Sequence, residues 1–140
     1  MIDLNSVPVE QKSSIMLLRT DLETSETMHA EFQKMISGMY PFMDGYMRLS
    51  SGVEYAEAEK WDKAANEFGK ASEEFSESYA ILEELKNSEY SEVSLGAIEI
   101  CGILTRVQKD LPHLEAGCRY MEKDRYNKAM AEFNNISTYY

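Results

Sequence analysis

Apolar residues recur at steps of three and four along nearly the whole chain, which is the period of a helix face. From about Val9 to Gly38 the stripe is Ile15, Leu18, Leu22, Phe32, Ile36 and Met39, with Ser25 and His29 interrupting it. Gly38 and Pro41 together predict a helix stop. A second helix is expected from about Phe42 to Lys60, with Phe42, Met43, Tyr46, Leu49, Val53 and Ala56 in register. A third opens near Trp61 or Asp62 and carries Ala64, Ala65, Phe68, Ala71 and Phe75 at helical spacing. Asp62 suits the positive end of its dipole. The pattern continues through Tyr79, Ile81, Leu82 and Leu85 to a turn at 87–89. A further helix covers about 91–109. Asp110-Leu111-Pro112 reads as a fresh start, with a polar cap and an early proline. A short helix then reaches about Glu122, and Asp124 opens a last one that ends near Ser137. No segment alternates as a strand does. The expected fold is all-α, one domain over 1–140, with about five to six helices.

Two segments of the chain align without gaps. One runs from Gly52 through Tyr55, Trp61 and Ala64 to Phe68; the other runs from Gly117 through Tyr120, Tyr126 and Ala129 to Phe133. The glycine lets two helices of a hairpin approach closely, and the aromatic one turn on fills the gap beside it. The second aromatic begins the return helix, the alanine accepts close packing, and the phenylalanine buries a large area, worth about 1.5–3 kcal/mol.

This pattern resembles the tetratricopeptide repeat (TPR). The resemblance implies antiparallel helical hairpins over 42–78 and 110–140, a degenerate middle at 79–109, and an extra N-terminal amphipathic helix at about 9–39. The departures are specific. Ser76 stands where the family ends a repeat with proline, and Arg48 and His113 stand at its first-helix tryptophan position. The two glycines are 65 residues apart, against about 68 for two 34-residue repeats. Two readings of the middle follow. Either the chain breaks at 76–78 and a third hairpin forms, or the helix from Trp61 runs through to about Lys86. In the second reading one helix separates the two hairpins, which then point in opposite directions.

Composition narrows the function classes. Of 140 residues, 44% are hydrophobic and 28% charged, the balance of a chain that can bury a core. The net charge of −11 disfavours a phosphate backbone, so no nucleic-acid partner is expected. No run is long and apolar enough to span a bilayer. The first residues lack the basic start and apolar run of a secretory signal, so a cytoplasmic location is expected. Cys101 and Cys118 lack paired zinc-site spacing, and His29 and His113 have no Cys or His at ligand spacing. No nucleophile elbow or glycine-rich phosphate loop is present. Carboxylate pairs such as Glu73/Glu77 lie on faces that read as solvated. No catalytic residue, metal or cofactor is therefore expected. His29 reads either as a rim histidine held by a neighbour or as a pH sensor.

The resemblance also implies where a partner would sit, because the family binds peptides on the first helices of its hairpins. Mapped from the two glycines, that face is Tyr46, Leu49, Val53, Leu111, Leu114, Cys118 and Met121. It is apolar and lacks the basic clamp with which some family members hold acidic peptide tails. An apolar or amphipathic helix is the expected ligand, recognised through anchors three and four apart. The N-terminal helix either fills that groove within the chain, leaves it open, or swaps into a second copy to make a homodimer. Exposure of Phe133, Ile136 and Tyr139 at the last hairpin would also favour self-association. The expectation is a non-enzymatic adaptor or scaffold. The alternative is a helical-bundle carrier or sensor holding an apolar ligand in a Met- and Tyr-rich core lined by Met35, Met39, Met43 and Tyr46.

Overall fold

The structure is a computed structural model that describes residues 8–137. It has four α-helices: α1 (Val9–Glu57), α2 (Trp61–Glu83), α3 (Ser91–Glu122) and α4 (Tyr126–Phe133). A 3-10 turn over Glu84–Asn87 completes α2. No strand occurs among the described residues.

The main correction to the sequence reading concerns Gly38 and Pro41. They do not end a helix. α1 is one helix of 49 residues with Pro41 inside it, about 74 Å long. What holds it together lies across the interface with α2. Gly38, Gly45 and Gly52 recur every seven residues and face Leu82, Phe75 and Phe68 of α2, which recur every seven in the opposite direction. Each glycine is the socket for one large knob. A methyl group on Gly45 would fall 2.6 Å from Phe75 Cδ1, and one on Gly52 would fall 2.5 Å from Phe68 Cε1. Gly38 is therefore a contact glycine. Pro41 removes one backbone donor and disturbs the ladder behind it. Beside that disturbance, the buried Ser78 hydroxyl donates to the Gly38 carbonyl at 2.7 Å.

The core is continuous from α1 through α2 to α3. It contains Leu49, Phe68, Phe75, Leu82, Val93, Ala97, Leu104 and Leu111. Small residues on α2 (Ala64, Ala71, Ser78) are fully buried, which lets the flanking helices sit close. Phe75 lies edge-on to both Phe42 and Tyr46, with ring centres 6.2 and 5.2 Å away. α2 and α3 are tied along their length by Gln108 to Ser76 (2.9 Å), Arg119 to Asn66 (3.5 Å) and Ser94 to the Lys86 carbonyl (2.6 Å).

α2 runs unbroken past 76–78, so the third hairpin does not form. α3 also runs unbroken through Asp110-Leu111-Pro112, where a helix start was expected. Asp110 is buried and accepts hydrogen bonds from the Ser137 N–H and hydroxyl, both at 3.0 Å. It anchors the segment after α4 and caps no helix. Among the described residues the count is thus four helices, fewer than the five to six expected. Because no helix separates the two hairpins, α1/α2 and α3/α4 point the same way. The expectation that they would oppose each other fails for that reason.

The aligned segments adopt matching hairpins. Phe133 lies against Gly117 as Phe68 lies against Gly52. Glu59 and Asp124 both turn the chain at φ 57°, in the left-handed region. The Lys60 and Arg125 N–H groups donate to the Tyr55 and Tyr120 carbonyls, each at 2.8 Å. Lys63 and Lys128 sit over the rings of Tyr55 and Tyr120 at 5.7 and 5.8 Å.

The N-terminal helix was expected to belong to neither hairpin. It is instead the upstream part of α1. It meets the start of α3 through Tyr90, whose hydroxyl donates to the Thr24 carbonyl at 3.0 Å. Ser88–Glu31 and Lys34–Glu84 add polar contacts there. Upstream of these contacts no described residue joins it to the core, and as an unbroken part of α1 it does not fold back into a groove.

Candidate interaction surface

Of the seven residues expected to face a partner, the structure puts three in the core. Leu49, Leu111 and Cys118 are almost fully buried because they sit on the sides of α1 and α3 that close on neighbouring helices. They cannot contact a ligand directly. Val53, Leu114 and Met121 are half-buried, and Tyr46 is partly exposed with its ring against Phe75. The expected face is thus reduced to four separate side chains on two helices.

The larger apolar surface lies on the opposite side of α1. Ile36, Tyr40, Met43 and Met47, at steps of four, three and four, are each between 48 and 68% exposed. Upstream on the same stripe, Leu18 and Leu22 are 62 and 63% exposed, and Ile15 is half-exposed. Ser25 and His29 separate the two blocks. The stripe from Ile15 to Met47 is about 48 Å long. Exposed apolar area on that scale marks interaction surfaces in soluble proteins. Tyr40 and Met47 are the members that the sequence reading missed. A break at Pro41 puts Tyr40 in a loop. The signal that finds them is the unbroken four-three-four step across the proline.

Met43 and Tyr46 are exposed, so Met35, Met39, Met43 and Tyr46 do not line a closed cavity. That removes the geometric basis offered for the carrier reading. Phe133 and Ile136 are half-buried, and Tyr139 lies outside the described residues.

Because the hairpins point the same way, their two turns share an open cleft of about 620 Å³. Trp61, Met121 and Tyr126 line it together with Glu59, Asp62, Glu122 and Asp124 and the lysines Lys60 and Lys63. The Tyr126 hydroxyl donates to Asp124 at 2.9 Å, which raises its pKa. His113 Nδ1 lies 2.7 Å from Glu132 Oε2 and links α3 to α4. His29 is exposed.

Burial pushes the Cys118 thiol up to about 11. Burial also raises Cys101, with Glu83 adding to the rise and Lys86 opposing it. Both thiols stay protonated and covered near neutral pH, so neither is an effective nucleophile. With Ellman's reagent at pH 8, the native protein is expected to react at least about 100-fold more slowly than the unfolded chain. Fast labelling of either cysteine in native buffer would contradict this burial. An unfolded thiol ionises near 9.0 while Cys118 stays protonated to about 11. Its contribution to stability is therefore complete below pH 9 and lost as the pH rises to about 11.

Among the described residues, no group of three or more His, Cys, Asp or Glu side chains is placed to hold a metal ion. No described helix is long and apolar enough to cross a membrane. Comparison with protein-family models, with curated proteins and with solved structures found no match.

Proposed function

We propose that this chain is a non-enzymatic scaffold of tetratricopeptide-like hairpins that binds an apolar or amphipathic helix of a protein partner. The observation that supports the reading is the exposed block Ile36, Tyr40, Met43 and Met47. Its spacing matches the anchor positions of a helix laid against a helix. Its backing is rigid, because Gly38, Gly45 and Gly52 lock the other side of α1 onto α2. A pre-ordered surface avoids part of the ordering cost of binding. The acidic surface, net −11, suits a partner helix with basic flanks.

A fluorescein-labelled helical peptide with leucine at heptad a and d positions and lysine on its flanks is the probe. Fluorescence anisotropy is expected to show saturable binding. Tyr40→Glu/Met43→Glu is expected to weaken it by roughly tenfold or more. Both side chains point to solvent, so the variant keeps the native melting temperature. Binding that is indifferent to this variant, or no binding at all, would overturn the reading.

A further inference from the structure

We infer that the occupant of the α1 ridge is a second copy of this chain, lying antiparallel to the first. This deepens the reading above and rests on it, since it takes the same ridge as an interaction surface. The ridge has two apolar blocks, Ile15–Leu22 and Ile36–Met47, separated by Ser25 and His29. An antiparallel copy exchanges the blocks. Ile15 of one chain meets Met47 of the other, Leu18 meets Met43, and Leu22 meets Tyr40. His29 then meets Phe32 or Gln33 of the other copy close to the two-fold axis, and Ser25 meets Ile36. Such an isologous contact uses one patch twice and closes on itself. A parallel copy in register would stack the polar stretches on each other.

Charge supports the same register. It places Arg19 of one copy beside the exposed Asp44 of the other, once on each side of the axis, and no carboxylate faces a carboxylate across the ridge. Exposure supports it as well. Six of the seven ridge side chains are between 48 and 68% exposed, and pairing them with a second copy covers apolar surface that would otherwise face water.

Light scattering over a range of concentrations is expected to give twice the 16.1 kDa of the chain, falling to one copy on dilution. Leu18→Glu/Leu22→Glu is expected to raise the dissociation constant roughly 100-fold. Both leucines are exposed and clear of the core, so circular dichroism should show the same helix content. Orientation is read by cross-linking. Leu22→Cys chains mixed with Tyr40→Cys chains should form a disulfide between the two types under mild oxidation, and Leu22→Cys chains alone should not. The native thiols are buried and do not interfere. A monomer at the highest concentration, a dimer that survives Leu18→Glu/Leu22→Glu, or efficient self-linking of Leu22→Cys would each overturn the inference. A monomer that still binds the leucine–lysine peptide through Tyr40 and Met43 would remove the second copy and keep the scaffold reading. A monomer that does not bind the peptide would remove the scaffold reading itself.

Discussion

Truncating Phe75 to alanine is expected to lower the free energy of unfolding by about 3–5 kcal/mol, the range for a large aromatic removed from a packed core. The ring is fully buried at the centre of α2. It fills the socket opened by Gly45 and contacts Phe42 and Tyr46 edge-on. No neighbour can collapse into the space, because the residue opposite has no side chain and α1 is held on both sides by the Gly38 and Gly52 contacts. The aromatic pairs add about 0.5–1.5 kcal/mol each beyond area, which puts the effect toward the upper end. For a chain of this length the melting temperature should fall by roughly 10–20 °C. Urea denaturation with an unchanged m-value is the check. A loss below about 1 kcal/mol would mean that the glycine ladder is not the main contact between α1 and α2.

The legible parts of this fold are those that depend on local spacing. Helical periodicity gave an all-helical chain, and the paired segments from Gly52 and Gly117 gave two hairpins with matching turns. The illegible parts depend on what lies across an interface. Gly38 beside Pro41 has the composition of a helix stop, and only the partner residue on α2 makes it a contact. The signal is nevertheless in the chain, because Gly38, Gly45 and Gly52 keep a seven-residue period that a terminator has no reason to keep. Pro112 is a parallel case. It lies on the exposed side of α3, where its ring displaces nothing from the core and the missing N–H costs a single bond.

The candidate surface was legible only in its chemistry. Apolar residues at helical spacing on α1 stand out in the sequence, yet spacing alone does not say which side of a helix faces a neighbour. Counting from Gly52 puts Leu49 on the expected partner-binding face, but that glycine already packs against Phe68, and Leu49 is buried on the same side. The ridge of Ile36, Tyr40, Met43 and Met47 is the complement of the glycine face. Once the glycines are assigned to the core, the ridge follows from the helical period.

The converse of the Phe75 truncation is a side chain added to its socket. Gly45→Val is expected to destabilise by about 2–3 kcal/mol, even though valine favours a helix interior over glycine by a few tenths. The first carbon of the new side chain would fall 2.6 Å from two atoms of the Phe75 ring, and the ring has no free direction to move. Overpacking of this kind typically costs about 1–3 kcal/mol. The informative variant is Gly45→Val/Phe75→Ala. Valine then occupies part of the volume that the ring has left, so the double variant should be more stable than the sum of the two losses by about 1–3 kcal/mol, the coupling expected of residues in contact. Chemical denaturation of the four proteins completes the cycle. Additive losses would show that Gly45 and Phe75 do not meet, and the continuity of α1 through Pro41 would lose its physical cause. Strong positive coupling would support the antiparallel register of α1 and α2, and with it the side of α1 left facing outward for a partner.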